Sequence, residues 1–335
     1  MDQRSVIPVD LVYFKNIIII AGFIVLFMAA GCSLIKYNQD GEPKAPRGYK
    51  NEFFLKAAYA VGMIDMIDTE PAIPSELKVF SDIEYKQVDS HSLKLDIYRL
   101  KKLTDPAPTL IFIHGGSWKS GKRSDYLPYL VDYAMKGYVT VTVSYRLSKV
   151  ALFPAAVQDV FCAIKWVRSH AHEYGIDPDR IAMVGGSAGA HLSMLAGYAS
   201  DDPVFNSGCN YESDVNVKAV VNLYGPVDLT VDFARKSGPL NEFLGNSYSD
   251  APELYYDVSP FTYITPDDPP TLTFHGTIDS IVPVSQADYL DNLLKSAGVI
   301  HEYHRLKGWP HTMDLEKRVN QYCQFHMDAF FMKYL

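Results

Sequence analysis

A chain of 335 residues, 48% of them hydrophobic, is long enough to bury the core of one large α/β domain or two smaller ones. Its formal net charge of -8 and the lack of a long basic run exclude nucleic acid as a natural partner and give no general attraction to anionic lipid. No fixed-period repeat or low-complexity block is present, which excludes a solenoid or fibrous array.

At the N-terminus, residues 17–30 form an uncharged, strongly apolar run preceded by Arg4 and Lys15. This is the length of a signal-peptide core and short for a bilayer span. The run ends in Ala29-Ala30-Gly31-Cys32-Ser33. That ending resembles the cleavage box of bacterial lipoproteins, in which small residues lead into a cysteine that is lipidated after cleavage; alanine stands at position 29 where the box usually has leucine. Extended through Ile35, the same run is long enough for an uncleaved anchor, so residues 1–32 are expected to be either a signal peptide with Cys32 as lipidation site or a membrane anchor. In both cases the chemistry lies in the cell envelope, on the periplasmic or extracellular side.

Residues 36–50 are polar and punctuated by Gly41, Pro43, Pro46 and Gly48, the composition of a tether. Residues 51–68 carry Phe53, Phe54, Leu55, Ala58, Tyr59, Val61 and Met63 in a rough helical stripe that predicts packing over a larger domain. Residues 33–78 thus read as a connecting segment and residues 79–335 as the catalytic domain. With Cys32 set aside, Cys162, Cys209 and Cys323 are an odd number without metal-like spacing. Cys162 sits in an apolar helical pattern and reads as a buried thiol, which leaves Cys209 and Cys323 as the two available to pair in an oxidising compartment.

From residue 79 the pattern alternates between strand and helix. Residues 82–88 and 93–99 alternate as strands, while residues 109–114 and 138–145 are continuous apolar runs suited to buried strands. Residues 153–174 have helical periodicity, and further strands are predicted at 180–184, 217–223, 271–275 and 301–306. This alternation predicts a mostly parallel sheet covered by helices on both faces. Residues 224–265, rich in Phe, Tyr, Pro and Asp, predict a small cap insertion that shapes the substrate pockets.

Two motifs carry the chemistry. Gly185-Gly186-Ser187-Ala188-Gly189 follows one buried strand and opens into a helix-forming stretch at 188–199, the setting in which a serine hydroxyl is exposed on a tight strand-to-helix turn. His114-Gly115-Gly116-Ser117-Trp118 follows another. A serine hydroxyl is a weak nucleophile until a base and an acid accompany it. Asp279, in the loop after the strand at 271–275, and His311, after the strand at 301–306, complete the order serine, carboxylate, histidine. Rivals for the base are His301 and His304, within a strand pattern, and Asp314 rivals the carboxylate.

With these residues in place, the chain from residue 79 onward resembles the esterase/lipase group of α/β-hydrolases. The HGGxW form at 114–118, the GxSxGxH run at 185–191 and His275-Gly276-Thr277-Ile278-Asp279 with Val282-Pro283 carry the likeness. It departs from the hormone-sensitive-lipase branch, which usually has a third glycine at Ser117 and an aspartate at Gly186, and is closer to acetyl esterases, feruloyl esterases and kynurenine formamidases. The resemblance implies Ser187 as nucleophile, His311 as general base and then acid, and Asp279 as the orienting carboxylate. It implies an oxyanion hole from the N–H groups of Gly116, Ser117 and Ala188, with His114, Gly115 and Trp118 supporting that loop. His191 is expected to cap or pack, and Arg146 to brace a carboxylate such as Asp159.

No cofactor or metal is expected. The implied activity is hydrolysis of short-chain, acetyl-like esters of small molecules or carbohydrates through an acyl-enzyme. The alternatives are a formamidase or amidase using the same three residues, and a non-catalytic envelope binding protein on a hydrolase scaffold.

Overall fold

The computed structural model describes residues 35–39 and 41–335. The apolar run, Cys32 and the expected processing site lie outside the described residues. Among the described residues no helix is long and apolar enough to cross a membrane.

Eight strands form one sheet in the order β1-β2-β4-β3-β5-β6-β7-β8. They are β1 (Leu77–Val88), β2 (His91–Leu100), β3 (Ala107–Ile113), β4 (Val139–Val143), β5 (Ile176–Gly186), β6 (Ala219–Leu223), β7 (Thr271–Gly276) and β8 (His301–Leu306). The two β2 pairings are antiparallel and the rest parallel. Each strand falls where the sequence pattern predicts one, with ends shifted by a few residues. From β3 the chain winds outward to β4 and then crosses back to β5, so the strand order reverses between β3 and β5. The crevice at the carboxyl ends of such a pair is where open α/β sheets bind ligands.

The period of two along each strand divides the core. Ile111, Ile113, Ile181, Met183 and Val220 point into one hydrophobic cluster, under α3 (Ala155–Ser169), α4 (Ala188–Tyr198) and α5 (Ser285–Ala297). Leu110, Phe112, Ala182, Val184 and Val221 point into the other, under α2 (Leu127–Met135) and α6 (Lys317–Tyr334). The Arg146 guanidinium grips Asp159 at 2.7 and 2.8 Å, and Lys86 adds a contact at 2.8 Å. Asp159 is fully buried; removing one partner of such a cluster typically costs about 3–5 kcal/mol.

Three sequence expectations are corrected. Cys209 pairs with Cys162, their Cα atoms 5.4 Å apart, and Cys323 is a buried free thiol. Residues after α4 fold back over α3, where Gln158 donates to the Val204 carbonyl and Phe161 meets Phe205, and this return brings Cys209 to the helix. The tether is also not free along its length. Within residues 51–68 only Glu52–Ala60 is helical (α1, capped by the Asn51 side chain on Phe54 N–H), and residues 46–49 and 65–67 are hydrogen-bonded to the loop after β8. Finally, of the 224–265 insertion only Tyr224 lines the site cavity, so its part in shaping that cavity is smaller than the sequence predicts. Its short helices at Gly238–Leu244 and Pro252–Asp257 send Leu240, Phe243 and Tyr255 into the core beside α3 and α4.

Candidate active site

The carboxyl ends of β3 and β5 lie side by side, with Ile113 paired to Gly185. A Cβ on Gly189 would come within 2.0 Å of the Ile113 carbonyl oxygen, so only glycine lets α4 start this close to β3. Between strand and helix Ser187 takes φ 56° and ψ -124°, a conformation that L residues rarely adopt and that is held because its N–H donates to the Leu223 carbonyl at 2.9 Å.

Two later loops converge on this serine. His311 Nε2 lies 2.9 Å from Ser187 Oγ, and His311 Nδ1 lies 2.6 Å from Asp279 Oδ2. The other Asp279 oxygen accepts the N–H groups of Ile281 and Val282, each at 2.9 Å. The loops are stitched together: Ile278 N–H donates to the Trp309 carbonyl, and Gly308 N–H to Thr277 Oγ1. Burial would raise the Asp279 carboxyl, but hydrogen bonds from His275 and His311 outweigh it and hold it at about 2. Asp279 is therefore ionised at neutral pH and fixes the Nδ1–H tautomer of His311, leaving Nε2 free to accept the serine proton.

The rivals are placed elsewhere. His301 pairs with Asp291 and His304 with the Tyr322 hydroxyl. Asp314 accepts from Tyr224 and Tyr129 at 2.6 and 3.1 Å. His275, named above only as part of a family-like run, takes a role that the sequence does not assign: its Nε2 sits 3.2 Å from Asp279 Oδ2 and 2.8 Å from the Val282 carbonyl. Its place four residues before Asp279, at a strand end, was the available signal.

The loop after β3 is held by aromatic contacts. His114 stacks on Tyr145, whose hydroxyl donates to the His114 carbonyl at 3.0 Å. Trp118 Nε1 donates to His191 Nδ1 at 3.2 Å, and His191 Nε2 donates to the Val258 carbonyl at 2.7 Å. His191 thus packs, as expected, and also ties the first turn of α4 to the 114–118 loop. Among the described residues no protein acceptor meets the N–H groups of Gly116 or Ser117, and both residues line the same cavity of about 760 Å³ as Ser187 and His311. Ala188, first residue of α4, has an N–H that the helix leaves unpaired.

The BD-FAE profile matches residues 95–294 of this chain. The chain belongs to the BD-FAE family. Its fold is therefore the α/β-hydrolase fold. In this BD-FAE chain the matched stretch holds Ser187 and Asp279 and stops before His311. The chain is similar to the probable carboxylic ester hydrolase LipM of Mycobacterium tuberculosis (strain ATCC 25618 / H37Rv), at 37% identity over 70% of this chain. The match spans 56% of that relative, little more than half its length. A truncated form of a carbohydrate esterase from gut microbiota superposes with a TM-score of 0.67 at 27% identity, covering 81% of this chain and 99% of the other. The propionate-bound form of esterase Est2 of the Planctomycetes species Thermogutta terrifontis superposes with a TM-score of 0.66 at 28% identity, over 80% and 97%; a butyrate-bound form is also solved.

Burial pushes the His191 imidazole down to about 4, whereas an unfolded chain takes that proton near about 6.5. Its contribution to stability is complete above the higher value and is lost as pH falls toward the lower one. His191→Gln is expected to lower stability at pH 7 by about 1–3 kcal/mol and to flatten the fall of the thermal midpoint over that acid window. A slope equal to the wild type's, measured by circular dichroism, contradicts this.

Proposed function

We propose that this chain is a serine carboxylic ester hydrolase acting on short-chain acyl esters through an acyl-enzyme. The observation that carries the reading is the continuous hydrogen-bonded line from Ser187 Oγ through His311 to Asp279, at 2.9 and 2.6 Å. As Ser187 Oγ bonds the ester carbonyl carbon, its proton passes to His311 Nε2, and the ionised Asp279 stabilises the resulting imidazolium. The carbonyl oxygen becomes an oxyanion that the N–H groups of Gly116, Ser117 and Ala188 stabilise, each such donor worth roughly 3 kcal/mol or more in related sites. Collapse breaks the bond to the alcohol oxygen, which leaves with the proton from His311. Water, deprotonated by the same imidazole, then releases the acid and restores Ser187.

The similar ester hydrolases support the reaction class. The neighbour solved with propionate and with butyrate supports acyl groups of that size. Ser187→Ala and His311→Ala are each expected to lower kcat/KM for p-nitrophenyl acetate by about 10⁴-fold or more, and Ser187→Ala to abolish fluorophosphonate labelling. Turnover by Ser187→Ala at the wild-type rate would refute the assignment.

We also propose that the enzyme is an envelope lipoprotein lipidated at Cys32. The apolar run before that cysteine supports this, and so does the Cys162–Cys209 disulfide, since such bonds persist in oxidising compartments. Mass spectrometry of the mature N-terminus is expected to find a diacylated Cys32; an intact Met1 contradicts it.

A further inference from the structure

The loop that carries His311 is also held by the chain that precedes the hydrolase sheet. Before the histidine, Gly48 N–H donates to the Lys307 carbonyl at 3.0 Å, Tyr49 N–H to the Gly308 carbonyl at 2.7 Å, and Trp309 Nε1 to the Pro46 carbonyl at 2.8 Å. After it, Ile67 N–H donates to the Leu315 carbonyl at 2.9 Å and Lys317 N–H to the Asp65 carbonyl at 2.8 Å. Residues on both sides of His311 are thus fastened, at main-chain level, to residues 46–49 and 65–67. The approach at the first clasp is close enough that a Cβ on Gly48 would lie 2.1 Å from the Gly308 carbonyl oxygen. The indole of Trp309, itself buried, packs edge-on against Tyr49 with ring centres 5.8 Å apart. Beyond the second clasp the same segment enters the site, where Ile67, Thr69 and Glu70 line the cavity that holds Ser187 and His311. Neither this segment nor the histidine loop falls within the family-matched residues 95–294.

From these contacts we infer that residues 46–49 and 65–70 are the two clasps of a strap belonging to the catalytic centre, joined by residues 50–64 that serve only to connect them, with Gly48, Trp309 and Ile67 as positioning residues that set where His311 stands relative to Ser187. The physical reason is that the loop between β8 and α6 is otherwise attached to the hydrolase body through few side chains and turns: Thr277, Ile278 and Asp279 before and at His311, and Tyr224 and Tyr129 on the Asp314 carboxylate after it. A hydrogen bond for proton transfer must hold its heavy atoms within about 2.6–3.2 Å, and a misplacement of about 1 Å can cost a factor of about 10². The strap supplies a further set of attachments, to main chain before and after His311. This rests on the serine-hydrolase reading above and adds to it a part of the chain that lies outside the family-matched residues 95–294.

The test is made in the full chain with Gly48→Ala, Trp309→Phe and, as a control on the same segment, Val61→Ala, whose side chain is 66% exposed. Active sites are counted by fluorophosphonate labelling and turnover of p-nitrophenyl acetate is expressed per labelled site. For Gly48→Ala and Trp309→Phe the number of labelled sites is expected to stay at the wild-type value while kcat per site falls about tenfold or more, with KM little changed and Val61→Ala equal to the wild type. Wild-type turnover per labelled site in both strap variants would overturn the inference. So would fewer labelled sites each turning over normally, because that is the signature of a merely structural strap. A wild-type enzyme that neither labels nor turns over would instead bring down the underlying reading.

Discussion

The hydrogen bond between Ser187 Oγ and His311 Nε2 joins residues 124 apart in sequence at 2.9 Å, and strained backbone stands at both of its ends. Ser187 is forced to positive φ, the residue after His311 also lies in the left-handed region (Thr312, φ 54°), and so do Ser117 and Trp118 in the loop opposite. Strained backbone of this kind persists only where its surroundings over-determine it. Here the surroundings are a sheet edge, a helix packed against β3 through Gly189, and two loops stitched to one another through Thr277, Ile278 and Trp309.

Electrostatics follow from the same convergence. Asp279 is kept ionised although buried because four donors aim at it: two main-chain N–H groups and the imidazoles of His275 and His311. Asp314, only three residues from His311, is occupied by two tyrosine hydroxyls and makes no hydrogen bond to the imidazole. One carboxylate is therefore dedicated to orienting the histidine and the other to the cavity wall, a separation of roles set by environment and not by residue type.

Much of this was legible in the sequence. The eight strands are continuous or alternating apolar runs whose period survives without knowledge of their partners, and chain order picks Asp279 and His311 from among their rivals because loops at one sheet edge must come from successive strand ends. What was not legible depends on contacts between distant segments. A polar, proline-bearing stretch has the composition of a tether whether or not its amides find partners, so the docking of Gly48 and Tyr49 on residues 307–308 left no local mark. The same holds for Cys162, whose apolar neighbours predict burial correctly but say nothing of the returning segment that brings Cys209. In the insertion at 224–265 the composition predicts a pocket wall, but Phe and Tyr serve equally in a core, and the core is where Phe243 and Tyr255 lie. The position of His191 in the GxSxGxH run predicts packing, which it does, but its hydrogen bond to Trp118 depends on the fold.

The central claim is that Ser187 is acylated during turnover. Its most direct measurement is rapid-quench mass spectrometry of the full-length enzyme mixed with p-nitrophenyl acetate, followed by peptide mapping. One acetyl group per chain, on the peptide containing Ser187 and on that serine, appearing before steady state and vanishing as substrate is exhausted, is the expected result. Turnover with that peptide unmodified throughout, or with the acetyl group on another side chain, would contradict it.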